Sequence, residues 1–215
     1  MISSFQKIHD NWKVLLGLKM KPPRARKPRN DDVRPREWLV KEEIDRLMKT
    51  AKKQGRHGLR NATMILFAFQ HGLRVAELVN LKYSQLDFGQ KSVHVLRRKN
   101  GRSNYHPFWK SERTAIAKIK KLYPSGKYVF VSERKEKAGK MTESNFWKIL
   151  RKLAKEANFE IPNIHPHMLR HSCSNHLKNV LGKNLRDIQE YLGHRDIRNT
   201  ERYTPVSMES FREFF

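Results

Sequence analysis

Three short stretches in the C-terminal third of the chain hold residue types suited to phosphodiester chemistry: Ile164-His165-Pro166-His167-Met168-Leu169-Arg170-His171-Ser172, Tyr191-Leu192-Gly193-His194 and Glu201-Arg202-Tyr203-Thr204. A phosphodiester can be broken without metal if three needs are met. A nucleophile must attack phosphorus, a cation must neutralise charge on the non-bridging oxygens, and an acid must protonate the leaving 5′ oxygen. Tyrosine desolvated near cations is a competent nucleophile and leaves a covalent phosphotyrosyl bond. Arginine suits the second task because its planar fork meets two phosphate oxygens and keeps its charge. Lysine can supply the proton. A zinc face is the rival reading, since His167 and His171 are spaced i, i+4 with His165, Cys173 and His176 close by. No acidic residue stands between the two histidines as a metalloprotease helix requires.

The elements that must carry these residues are legible. Pro166 sits where a first helical turn starts, which suits its missing N–H. His167, Arg170 and His171 then share one helix face. Gly193 ends a second short helix and leaves His194 at its exit.

Together these stretches resemble the tyrosine recombinase (phage-integrase-like) family, whose signature runs His-x-x-Arg, Leu-Gly-His and Tyr-Thr. Here they read His167-Met168-Leu169-Arg170, Leu192-Gly193-His194 and Tyr203-Thr204, in the family's order and spacing. The wording from His165 to Cys173 is most similar to the small recombinases that invert fimbrial promoter segments. The resemblance runs from about Leu39 to Val206. It implies that Tyr203 is the nucleophile and that Arg170 and Arg74 clamp the phosphate. Arg74 stands in His71-Gly72-Leu73-Arg74-Val75-Ala76-Glu77-Leu78, which resembles the family's first arginine box. Glu77 is implied to support the site; an ordinary i, i+3 pair with Arg74 is the plainer alternative. Lys99 resembles the family's hairpin lysine, although the usual Gly-Lys-Gly is replaced by Arg98-Lys99-Asn100. His167 and His194 are implied to hydrogen-bond the phosphate, with His167 assisting proton transfer at Tyr203. No metal and no cofactor is expected.

Composition agrees with a polyanionic partner. Lys+Arg number 46 against 21 Asp+Glu, a formal net charge of +25, and such a charge opposes compaction unless it meets nucleic acid or, second, an anionic membrane. No apolar run reaches transmembrane length. The single Cys173 excludes an intramolecular disulfide and fits a reducing cytoplasm. It falls on the apolar side of its helix as a structural thiol.

Phe5, Ile8, Trp12, Val14, Leu15 and Leu16 suggest a short N-terminal helix. Residues 19–36 are basic and proline-bearing, hence extended or disordered. They form either a solubilising tail or an arm whose Arg24, Arg26, Lys27 and Arg29 lie on DNA phosphates. Periodicity predicts helices over 40–53, 61–71 (apolar all round), 110–122, 143–157 with Thr142 as N-cap, from Pro166 through Val180, and over 185–192. Strands are expected over 92–97 and 104–108 around an Asn100-Gly101 turn, with Leu86-Asp87-Phe88 as a third. Tyr128–Val131 is a strand or a buried loop. Met208, Phe211 and Phe214 line a last short helix.

The expected fold class is α+β, mainly α, with a small antiparallel sheet. The expected domains are a basic arm (1–37), a catalytic domain (38–206) and a tail helix (207–215). An N-terminal DNA-clamping domain is not expected ahead of the matched region. The expected function is site-specific DNA recombination through a 3′-phosphotyrosine, with a nicking-closing topoisomerase or an inactive DNA-binding regulator as alternatives. Expected partners are double-stranded DNA, three further protomers in a tetramer on two sites, and accessory DNA-bending proteins, with no membrane; the expected location is cytoplasmic, at the nucleoid when DNA-bound. Arg97, Arg98 and Arg102 on the hairpin are expected to touch DNA as well.

Overall fold

The computed structural model describes residues 36–98, 101–124, 126–134, 137–161 and 163–196. The expected N-terminal helix, the arm residues 1–35 and the expected tail helix therefore lie outside the described residues.

Helix α1 (Lys41–Lys52) and helix α2 (Gly58–Gln70) form the first pair. Helix α2 has buried residues nearly all round its circumference, as its continuous apolar run requires. It packs against α1, α4 (Lys110–Leu122) and α6 (Pro166–Asn179), so the core is built around it. Phe67 at its middle meets Phe108 and Phe130 edge-on, with ring centroids 6.2 and 5.8 Å away. Truncating so buried a ring to alanine costs about 3–5 kcal/mol. Arg60 on the same helix is buried too, and its Nη1 donates to the Val131 carbonyl at 2.8 Å.

After the short helix α3 (Val75–Val79) comes a three-stranded antiparallel sheet in the order β1 (Leu86–Asp87), β2 (Ser92–Val95), β3 (Asn104–Pro107). Val93 pairs with His106 and Val95 with Asn104. A second antiparallel pair, β4 (Val131–Arg134) with β5 (Lys137–Lys140), was not anticipated. Its polar sequence shows no apolar alternation from which a strand could be read. The Tyr128–Val131 run enters it as a buried lead-in: the Val129 N–H donates to the Leu81 carbonyl at 2.9 Å.

Helix α5 (Glu143–Glu156) starts at Thr142, whose Oγ1 accepts the Asn145 N–H at 3.1 Å. Pro166 opens α6 at its first turn. Helix α7 (Leu185–Leu192) is capped by Asn184 and ends at Gly193 in the left-handed region, φ +64°. The chain is thus mainly helical with small antiparallel sheets, and no helix among the described residues is long and apolar enough to cross a membrane.

Candidate active site

The site is assembled on carbonyls at the C-terminal end of α7. The Glu190 carbonyl accepts the Gly193 N–H at 3.0 Å, but the carbonyls beyond it have no place in the helical ladder, and this end carries the negative end of the helix dipole. Guanidiniums and amides fill those positions. Arg170 of α6 donates Nη2 to the Leu192 carbonyl at 2.8 Å, and Arg97 donates Nη2 to the Tyr191 carbonyl at 2.7 Å. Asn104 donates to the Glu190 carbonyl at 2.8 Å, and the Arg102 N–H donates to the Gly193 carbonyl at 3.2 Å.

Gly72, at the turn leaving α2, is the opposite wall. Its φ of +56° suits glycine, and an added Cβ would come within 2.4 Å of Leu192 Cδ2. The close approach lets one carbonyl serve two arginines: Arg170 Nη1 and, at 3.2 Å, Arg97 Nη1 both donate to the Gly72 oxygen.

Glu77 completes the cluster from α3. Its Oε1 accepts Arg74 Nη1 at 2.9 Å and the Arg98 N–H at 3.1 Å. Its Oε2 accepts the Arg74 N–H and Arg97 Nη1, both at 3.0 Å, and lies 4.0 Å from Arg170 Nη1. Burial opposes the Glu77 charge, but Arg97, Arg170 and the two N–H groups hold its carboxyl below the usual range. Burial, then the like charges of Arg97 and Arg74, pushes Arg170 down to about 9, which leaves it charged at neutral pH. Three guanidiniums around one carboxylate leave a net positive site. The side chain of Arg74 is 24% exposed, so the cluster opens to solvent on its side.

His194 is buried beside Arg170. Arg170 Nη2 lies 2.8 Å from His194 Nε2, and arginine can only donate, so Nε2 is the bare nitrogen of the ring. Burial, reinforced by Arg170, Arg74 and Arg97, lowers its pKa to about 3, and the ring is neutral at physiological pH.

The structure therefore brings Arg74, Glu77, Arg170 and His194 into one cluster. His167 stands exposed one turn before Arg170 on α6. Arg98 and Arg102 are exposed at the hairpin, and Arg102 lines an open cleft of about 450 Å³ with Asn104, Arg186, Gln189, His194 and Arg195. Lys99, Tyr203 and the arm residues Arg24, Arg26, Lys27 and Arg29 lie outside the described residues.

Arg97 requires a correction. Expected on DNA, its side chain is 0% exposed, and both Nη atoms are engaged by Glu77 and by the carbonyls of His71, Gly72 and Tyr191. Strand alternation carried the signal: Val93 and Val95 face the core, and Arg97 is next in that register. Sequence reasoning also missed a buried chain of imidazoles. His71 Nδ1 lies 3.2 Å from His106 Nδ1, and His71 Nε2 lies 2.9 Å from Glu112 Oε1. Such long-range pairs leave no mark on spacing.

The zinc reading finds no geometry: among the described residues, no three His, Cys, Asp or Glu side chains are grouped to hold a metal ion. His171 Nδ1 meets the Glu37 carbonyl at 3.1 Å, and burial pushes the Cys173 thiol up to about 12.

The chain as a whole is similar to known proteins. The phage integrase family profile matches residues 37–210, and the chain belongs to that family. It is a site-specific recombinase of the tyrosine type, a DNA strand transferase. One relative is the type 1 fimbriae regulatory protein FimE of Escherichia coli (strain K12). It is 35% identical over 182 residues, 82% of this chain and 89% of FimE. Among solved structures, XerA recombinase superposes with a TM-score of 0.67 at 26% identity, covering 97% of this chain and 71% of that one. The Tn1549 transposon integrase, solved in complex with a circular intermediate DNA, shares the fold. Its TM-score is 0.70 at 16% identity, over 99% of this chain and 79% of that one. The resemblance to the fimbrial-switch recombinases stands, and the topoisomerase and inactive-regulator alternatives are not favoured.

Proposed function

We propose that the chain cuts and rejoins duplex DNA with Tyr203 as nucleophile and Arg74 and Arg170 as the phosphate clamp. The Tyr203 hydroxyl oxygen attacks the scissile phosphorus and its proton passes to His167. The bond from phosphorus to the 5′ oxygen breaks, and Lys99 gives that oxygen a proton. The 3′-phosphotyrosyl bond keeps the energy of the cut, so a 5′-hydroxyl of another strand reverses the step without a nucleotide. The observation that carries this reading is the excess of guanidinium charge around Glu77, open at Arg74 and fixed before substrate arrives. His194 donates to a non-bridging oxygen only after its proton moves to Nε2, since Nε2 is the acceptor in the free enzyme.

Double-stranded DNA is the partner in this reading; the Tn1549 integrase, of the same fold, was solved in complex with a circular intermediate DNA. The formal charge of +25 supports it. The reaction proceeds in the cytoplasm on four protomers holding two sites, with accessory DNA-bending proteins. The 1–37 arm adds phosphate contacts through Arg24, Arg26, Lys27 and Arg29. On DNA the 207–215 tail docks in trans through Met208, Phe211 and Phe214, and in the free protein it docks in cis or loosely, because that apolar set needs a surface to cover it.

The test is a nicked duplex that traps the covalent adduct. Tyr203→Phe binds it and forms no adduct. Adduct at a different tyrosine in that variant ends the assignment.

A further inference from the structure

Arg97 is a buried side chain near the site that the mechanism above does not use, and both of its Nη atoms are engaged. We infer that Arg97 is a positioning residue for strand cleavage: one buried guanidinium that sets the clamp arginine, the Leu-Gly-His turn and the lysine hairpin in a common register. The inference rests on the recombinase reading, and specifically on Lys99 and Arg170 acting on the phosphate.

The geometry ties Arg97 into the site twice through its fork and once through its backbone. Arg97 Nη1 meets two groups that Arg170 Nη1 also faces: it donates to the Gly72 carbonyl at 3.2 Å, which Arg170 shares, and to Glu77 Oε2 at 3.0 Å, which lies 4.0 Å from Arg170 Nη1. Arg97 thus fixes the wall against which Arg170 Nη1 rests. Its Nη2 bridges the His71 carbonyl at 3.1 Å and the Tyr191 carbonyl at 2.7 Å, tying the end of α2 to the end of α7 just before His194. Its own backbone leads into the hairpin: the Arg97 N–H donates to Ser103 Oγ at 3.1 Å, and the next N–H, of Arg98, donates to Glu77 Oε1 at 3.1 Å.

The contact between hairpin and turn is as tight as backbone allows. A Cβ on Gly193 would lie 2.4 Å from the Arg102 carbonyl oxygen and 2.8 Å from Arg97 Cγ. A Cβ on Gly101 would lie 2.8 Å from Arg97 Cβ and 3.0 Å from the Gly193 carbonyl oxygen. Two glycines therefore close over the Arg97 stem, and a shift of that stem moves the hairpin and the His194 turn together. A lysine keeps the charge but offers a single point in place of a fork, so it cannot hold four acceptors at once.

The experiment has three arms. Wild-type protein, free and on its DNA, is treated with phenylglyoxal and its modified arginines are mapped by mass. Arg97 stays unmodified in both states, while Arg98 and Arg102 react and are protected by DNA. Arg97→Lys is then assayed for DNA affinity against salt and for cleavage at saturating protein. Its salt slope matches wild type, whereas its saturated cleavage rate falls on the order of 100-fold, the size expected of a misplacement near 1 Å. A substrate with sulfur at the bridging 5′ position, whose leaving thiolate needs no proton, restores part of that rate, as it does for Lys99→Ala. Modification of Arg97 in the free protein with protection by DNA overturns the inference, as does a wild-type cleavage rate or a reduced salt slope in Arg97→Lys. If that variant does not fold, Asn104→Ala replaces it, because it removes two hydrogen bonds from Asn104 Nδ2 to the same α7 end and leaves the charges in place. It shows the same split at smaller size, and cleavage at the wild-type rate overturns the inference. Tyr203→Phe runs alongside: adduct in that variant sinks the nucleophile assignment, while the Arg97→Lys rate still reads on positioning.

Discussion

Two buried polar clusters lie back to back across the α2 turn, and they differ in one respect. The first gathers Arg74, Arg97 and Arg170 around Glu77 and carries excess positive charge. The second gathers His71, His106 and Glu112 and balances within itself. His106 Nε2 faces the Tyr191 carbonyl at 3.1 Å and Asn104 Oδ1 at 3.0 Å, so that nitrogen carries the proton. His106 Nδ1 is then an acceptor, and His71 Nδ1 must donate to it across 3.2 Å. His71 Nε2 and Glu112 Oε1 then face each other 2.9 Å apart, off line, with no other partner. Both clusters are buried, yet only the first is left wanting an anion. Burial of charge does not mark a catalytic site; uncompensated charge at an opening does.

The largest effect should separate the clusters outright. Arg74→Ala and Arg170→Ala each remove a charge aimed at the transition state, and each lowers the cleavage rate about 100- to 1,000-fold in a single-turnover assay. Glu112→Gln breaks the balanced pair instead. It lowers unfolding free energy by about 3 kcal/mol, the cost of orphaning one member of a buried pair. The rate of the protein that remains folded changes less than in either arginine variant. Rate losses of equal size in Glu112→Gln and Arg170→Ala would erase the distinction.

What the sequence could and could not reveal follows the same line. Helix α2 was legible because its run from Met64 to Phe69 is apolar on every face. Helix α6 was legible because Pro166 marks its start. The boxes that carry Arg74, Arg170 and His194 are local patterns of a few residues, and their convergence was implied by resemblance. The β4–β5 pair was hidden because Ser132, Gly139 and Lys140 alternate nothing apolar. Arg97 was misread because a chain with 46 basic residues invites an exposed assignment for each of them. The Glu112 to His71 contact joins α4 to the turn after α2, and no spacing rule reaches that far.

A second test reads the buried histidines of both clusters, and His171 beside them, through pH. Burial is the main cause that lowers His106 to about 2, His171 to about 4 and His194 to about 3. In the unfolded chain each takes its proton near the ordinary value of about 6.5. Below that pH the unfolded state binds more protons than the native one, so stability falls as pH falls. Each histidine contributes a slope of up to about 1.4 kcal/mol per pH unit between its unfolded and native values. Glu77, held low, adds a loss of the same sign at still lower pH. Denaturant titrations should show stability declining from about pH 6.5 to pH 4. A flat profile over that window would show that these rings are not held neutral.

The smallest effect is the sharpest test of the boundary between the two kinds of arginine. Arg97 and Arg98 are adjacent, both basic and both on the hairpin, but alternation buries one and exposes the other. The structural duty of Arg98 is carried by its backbone N–H, which donates to Glu77 Oε1 at 3.1 Å and survives substitution by alanine. Arg98→Ala therefore removes only an exposed guanidinium, and its cost in stability stays within about 0.5 kcal/mol. If that guanidinium meets a DNA phosphate, its loss lowers the slope of log affinity against log salt by about one unit. Arg97→Lys, one residue earlier, leaves the slope where it was. Equal slopes in Arg98→Ala and wild type would take Arg98 off the DNA.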